Sequence, residues 1–453
     1  MVLTALLAIA PAAGAQIGLP AVNMPPLPGV GLPNFPATAV QNLSAKDLPL
    51  DVGKSAAEIA RATDPRRLRG LRALRIRELL RRHSDVLEAD PHGAPIVRGE
   101  VLALSPSPAA LQAAAGAGFS VVREHAYPEL GTSIVVLHGR GSTARAMARL
   151  QALDPAGVYD FDHLYTDSGA VLRDDAQPAP PAPPPGGLTG APAGAGLTGV
   201  RVGLIDSGVD LTHEVFSGVK IHEHGCAAGP VPAEHGTAVA SLMVGRASAL
   251  HGAAPGAALY AADVFCGVPT GGSVDSVAEA LAWLVHEQVP VINVSLVGPP
   301  NELLARVVAA VLTRGYLVVA AVGTDGPAAP PLYPAAWPGV VGVTAVDAQQ
   351  RVLVEAERGP QVKFAAPGAD LAAAGLRRGY ELVRGTSFAS PLVAGLLALE
   401  LQMPDKAAAA QAVAALARRA LDLGAPGPDP VYGYGLVGAD LRRQPALARL
   451  RRD

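Results

Sequence analysis

Residues 202–210 read VGLIDSGVD. A run of apolar and small residues leads straight into an aspartate, and a glycine turn follows. A run with no polar residue on either face belongs to a strand covered on both sides, the situation of a parallel sheet. The same texture returns in VRVGLID, LYAADVF, VPVINVSL, YLVVAAVG and GVVGVTAV. Between these runs lie helical patterns such as SVDSVAEALAWLVHEQ and NELLARVVAAVLTRG. The alternation predicts an α/β domain over residues 199–441, a parallel sheet with helices on both faces. Functional groups in such folds collect at the carboxyl ends of the strands, and Asp206 stands at one of them.

Upstream the texture is different. Residues 1–15 carry the short apolar run VLTALLAIA and a small-x-small site, AGA, before Gln16, which reads as an export signal, although no Lys or Arg precedes it. The run is too short to span a bilayer. Residues 16–95 form a leader, rich in Pro first and then in Arg, with nine arginines between Arg61 and Arg82. Residues 54–89 read as a helix whose basic face is solvated, or as one that touches an anionic membrane. Residues 96–167 alternate compactly. IVRGEVLALS, FSVVREHAYPEL, TSIVVLHGR and GVYDFDHLYT are strands, and helices start at Ser107 and Ser142. The order βαββαβ predicts a small α+β ferredoxin-like domain. Residues 168–198, with AQPAPPAPPPGGLTGAPAGAG, read as a linker, and 442–453 as a short basic tail.

Bulk properties narrow the function. The net charge is −3 over 453 residues, which argues against a general nucleic-acid binder. Only five lysines occur, which we read as a coding bias. Two cysteines, Cys226 and Cys266, are present. In an exported chain an even pair closes a disulfide, the alternative being two unrelated small core residues. HEHGC at 222–226 offers two histidines and a cysteine, too close together to complete a tetrahedral zinc set alone. No metal site and no acidic cluster that would hold calcium stands out, and no cofactor is expected.

Three stretches carry chemistry: LIDSGVD around Asp206, EHGTAVAS around His235 and VRGTSFASPLVAG around Ser387. A serine hydroxyl is a weak nucleophile near neutral pH. It needs a base within hydrogen-bond reach, and the base needs a partner that fixes its tautomer. Asp206 at a strand end can hold the imidazole of His235. Ser387 at a helix start aims its own N–H at a developing oxyanion. Its neighbours Gly385, Thr386, Ala389 and Ser390 are small, so a peptide backbone can approach. Taken singly, these residues could be a strand cap, a satisfied interior histidine and a helix N-cap.

In the order Asp, His, Ser, and with HGAAPGAALYAADVF, VINVSLVGP, YPAAWPGVVGVTAVD, FAAPG and YGYGLV between and after them, residues from about 198 to 441 resemble the subtilisin family of serine proteases. The resemblance implies an endopeptidase in which Asp206 orients, His235 is general base and then acid, and Ser387 is the nucleophile. It implies that the domain at 96–167 is an inhibitory propeptide, cut off during maturation. The partners would be protein or peptide substrates and the chain's own propeptide, with membrane contact only through the signal, and the location secreted or periplasmic. The rivals are a pseudoprotease that binds peptides without cutting them, and an esterase using the same triad.

Two departures matter. Where the family has an oxyanion-binding asparagine, AAVGTDG at 320–326 places Thr324, leaving Thr324 and the Ser387 N–H as the expected oxyanion donors. The expected substrate-binding positions are Ser295, Leu296, Val297, Val322, Gly323 and Leu332. Several are bulkier than the family's small pocket residues, so a small residue is expected before the scissile bond.

Overall fold

The computed structural model describes residues 65–172, 199–247 and 250–442. The signal at 1–15, most of the leader, the linker from 173 and the tail from 443 lie outside the described residues.

Seven parallel strands make the central sheet: β8 (Arg201–Asp206), β9 (Ile221–His224), β10 (Ala258–Asp263), β11 (Val291–Val294), β13 (Leu317–Ala321), β14 (Val341–Val346) and β15 (Val362–Pro367), in the spatial order β15-β14-β13-β11-β8-β10-β9. β11 and β8 are almost wholly buried, as their apolar runs require. The sequence reading missed β9 and β15. IHEH is polar because it forms a sheet edge, and VKFAAP is short of branched residues.

Each face of the sheet has its own core. On one, α4 (Glu234–Val244), α7 (Thr386–Glu400) and α8 (Lys406–Arg419) pack through Val239, Met243, Leu392, Val393 and Leu416. On the other, α5 (Val274–His286) and α6 (Glu302–Thr313) pack through Val277, Leu281, Leu304 and Val307. Ser273 and Asn301 cap these two helices, accepting from the N–H of Ser276 and Leu304.

The N-terminal unit forms an antiparallel sheet of β1 (Leu87–Ala89), β2 (Pro95–Leu104), β3 (Ser120–Tyr127), β4 (Thr132–His138) and β5 (Val158–His163), crossed by α2 (Pro108–Gly116) and α3 (Thr143–Leu153). Across the sheet the order is β5-β2-β4-β3, which is the ferredoxin-like arrangement of βαββαβ. Helix α1 (Pro65–Arg82) precedes it. The reading of 54–89 as one helix is corrected at its end: Leu87 is fully buried and pairs as β1, so the unit begins before residue 96.

Both faces of this small sheet are covered. Val101, Val135 and Leu137 pack on α2 and α3. Leu102, Ile134 and Val136, one residue out of phase, belong to the same core as α5 and α6. Polar ties reinforce the contact: Arg123 donates to Glu100 and to Asp275 of α5, and Asp162 accepts from the Asp275 N–H.

Candidate active site

Asp206 ends β8, fully buried, and its carboxylate accepts from Nδ1 of His235 at 2.8 and 3.0 Å. Oδ1 also accepts from the Ser207 N–H at 2.7 Å. His235 lies in the first turn of α4, so one rigid strand end and one helix start fix the pair. Burial alone would push the imidazole pKa down. The charge and hydrogen bond of Asp206 outweigh it, Asp167 adds to them, and the result is about 9. Nε2 of His235 is buried and has no hydrogen-bond partner among the described residues.

Ser387 sits at the second position of α7, where backbone N–H groups have no intrahelical partner. Its Oγ donates to the Ser295 carbonyl at 2.9 Å and accepts from the Ser168 N–H at 3.0 Å. The ring of Phe388, its neighbour, lies 5.3 Å from the His235 ring. Asn293 donates to Ser295 Oγ, which donates to the Ser387 carbonyl, so the nucleophile's backbone is held from β11.

A segment of the chain itself fills the cleft. Tyr165 N–H donates to the Gly272 carbonyl at 2.7 Å. β6 (Thr166–Asp167) pairs antiparallel with β12 (Leu296–Val297), Asp167 opposite Leu296 and Thr166 opposite Val297. β7 (Gly169–Leu172) then pairs with β17 (Tyr380–Gly385), which leads into α7. The chain thus changes walls across Ser168, whose N–H donates to Ser387 Oγ. Gly385 has φ +143°, and a Cβ there would lie 2.5 Å from Gly169 Cα, so only glycine lets the two backbones approach. The expected linker start at 168 is corrected accordingly: residues up to 172 form strand.

The other expected site residues divide. Val297 and Leu332 cluster with Ala321. Gly323 lies against Leu332 and the fully buried Glu357, whose carboxyl is driven up to about 9, chiefly by burial. Val322 does not join that cluster. It belongs to the core below the sheet, because side chains alternate along an extended strand and Ala321 takes the other side. Leu296 contributes backbone to β6 while its side chain is in that same core. Thr324 is half-buried, between Gly323 and Asp325, and Asp325 is ion-paired to Arg72 of α1 at 3.2 Å. Arg72 is therefore no part of a purely solvated face, whereas Arg75, Arg77, Arg81 and Arg82 are exposed.

Cys226 and Cys266 form a disulfide with Cα atoms 5.5 Å apart, which removes Cys226 from any zinc set. His222 and His224 instead stack on Tyr260 and Trp283. Among the described residues, Cys226, Asp263 and Cys266 are the one group with metal-ligand spacing, and the bridge occupies both thiols. The sequence reading missed Ser168 and took Thr386 only as a small neighbour, not as a hydrogen-bonding group. The signal available was Gly169 directly after an apolar strand, small enough for a close approach to another backbone.

Residues 198–435, just over half of the chain, match the model of the Subtilase family. The chain belongs to that family. It is similar to the minor extracellular protease Epr of Bacillus subtilis (strain 168), 30% identical over 258 residues, covering 54% of this chain and 38% of that protein. It is also similar to subtilisin Savinase of Lederbergia lenta, 33% identical over 265 residues, covering 56% of this chain and 91% of that one. Among solved structures, fervidolysin from Fervidobacterium pennivorans, a keratinolytic enzyme related to subtilisin, shares the fold at TM-score 0.63 and 22% identity, over 76% of this chain and 61% of that one.

The state of His235 sets a pH dependence. Only the neutral imidazole accepts a proton, so below about pH 9 the active fraction falls roughly tenfold per unit. Any turnover that uses His235 as its base is expected to rise with pH to a plateau above about 9, and Asp167→Asn is expected to lower the midpoint. Mass spectrometry of time points across pH 6 to 10, on the order of half a unit apart, checks both.

Proposed function

We propose that the chain is an exported, self-processing precursor of an endopeptidase, and that the bond it cuts in itself is Ser168–Gly169. The observation that carries this reading is the change of walls across Ser168, with Ser168 bonded to Ser387. Ser387 Oγ attacks the Ser168 carbonyl carbon while His235 Nε2 takes its proton. The tetrahedral oxyanion lies toward the Ser387 N–H and Thr324. His235 then gives the proton to the Gly169 nitrogen as the C–N bond breaks. Water hydrolyses the acyl ester by the same route in reverse roles. The N-terminal unit delivers the segment and, once cut, remains docked as an inhibitor until released.

Its own segment also indicates specificity. Ser168 occupies the position before the scissile bond, in keeping with a preference for a small residue there. Tyr165 is fully buried, donates to the Pro299 carbonyl at 2.8 Å, and packs its ring where a Cβ on Gly298 would lie. Extracellular location is supported by the bacterial relative named extracellular. No helix among the described residues is long and apolar enough to cross a membrane.

A fluorophosphonate probe combined with a peptide library tests the reading. The enzyme is expected to be labelled at Ser387 and to cut after Ser, Ala or Gly. An unlabelled chain that still binds peptides would be a pseudoprotease, and ester turnover without amide turnover would point to an esterase.

A further inference from the structure

Resting on that assignment of the scissile bond, we propose that the side-chain hydroxyl of Ser168 is a brake on self-cleavage, holding the nucleophile turned away from its base. Hydrogen-bond bookkeeping fixes the direction of every proton in the cluster. Thr386 Oγ1 accepts from the Gly323 N–H at 3.2 Å and lies 2.9 Å from Ser168 Oγ. Ser168 Oγ lies 3.1 Å from Ser387 Oγ. Ser387 has one hydroxyl proton, and it goes to the Ser295 carbonyl, which can only accept. Toward Ser168, Ser387 must therefore act as acceptor, from both the N–H and the hydroxyl. Ser168 in turn accepts from Thr386. The polarity runs one way: Gly323 N–H, Thr386, Ser168, Ser387, Ser295 carbonyl.

This chain has two consequences. Both acceptor positions of the Ser387 oxygen are occupied by donors, which lowers its nucleophilicity. Its proton points at a carbonyl that cannot take it, while Nε2 of His235, which can when the imidazole is neutral, is buried without a partner among the described residues. Attack requires Ser387 to turn from Ser295 to His235 and to break the bond from the Ser168 hydroxyl. The N–H bond from Ser168 is common to any residue at this position except proline, so the hydroxyl is the part this sequence adds. The three side-chain oxygens involved belong to fully or nearly fully buried residues, so water does not replace the lost partner during the turn.

Ser168→Ala removes the hydroxyl without adding bulk to the pocket. Self-cleavage of the full chain is expected to become roughly 5- to 10-fold faster, the scale of one hydrogen bond released in the transition state. In parallel, the released enzyme is given two peptides spanning residues 164–172, one with Ser and one with Ala at 168. The Ala peptide is expected to show the higher kcat with KM not raised. Equal or slower cleavage of the Ala forms, in the chain and in the peptide, overturns the brake and makes the hydroxyl neutral or a recognition element, leaving the endopeptidase reading intact. Absence of cleavage in chain and peptides alike, Ser or Ala, overturns both.

Discussion

Asp206→Asn is expected to slow peptide hydrolysis by about 10⁴-fold while leaving the fold in place. Oδ1 of Asp206 accepts from the Ser207 N–H, and an asparagine must keep its carbonyl oxygen on that donor. Its NH₂ then occupies the place of Oδ2 and faces Nδ1 of His235, now 3.0 Å from that oxygen. Nδ1 still reaches the carbonyl oxygen at 2.8 Å, but the donor at the other position competes with that bond and favours the tautomer protonated on Nε2, the atom that must accept from Ser387, and the neutral amide no longer stabilises the imidazolium that forms. The site is fully buried, so no solvent rearrangement relieves the mismatch. The loss is expected in kcat, with KM little changed, because Asp206 touches no substrate atom. Steady-state kinetics together with circular dichroism check this. A variant within tenfold of wild type, with unchanged spectrum, would mean that Asp206 is a structural cap.

Thr324→Asn is expected to raise turnover, by about 10- to 10²-fold. Removing one side-chain oxyanion donor costs about 10²–10³ in turnover, a figure measured on a subtilisin, and a threonine hydroxyl recovers part of it at most. The longer carboxamide would reach further from the same backbone position toward the oxyanion that the proposed mechanism places at the Ser387 N–H. Because the gain belongs to the transition state, it is expected in kcat for chain cleavage and peptide cleavage alike. A variant no faster than its parent would show that Thr324 or a neighbour already completes the hole.

The catalytic domain was legible because its signals are physical necessities. A strand buried on two faces cannot afford polar residues until its end, so Asp206 was visible at the end of VGLID. His235 and Ser387 open helices whose apolar patterns were clear. The N-terminal unit was equally readable, through period-two strands and serine-capped helices. What escaped depends on pairing between distant segments. TDSGAVL has no amphipathic pattern of its own; it becomes strand only against β12 and β17. The phase of a pleat is likewise invisible from residue types alone, which is why Val322 was expected where Ala321 stands. The ion pair of Arg72 with Asp325 is absent from any local pattern, since its partners are far apart in the chain.

Wild type and Ser387→Ala, made side by side as full chains, can be compared by intact mass and N-terminal sequencing. We expect wild type to break between Ser168 and Gly169, leaving a polypeptide that begins with Gly169, and the variant to remain whole. A wild type that stays whole at pH 9, or a variant cut at the same bond, would contradict that assignment.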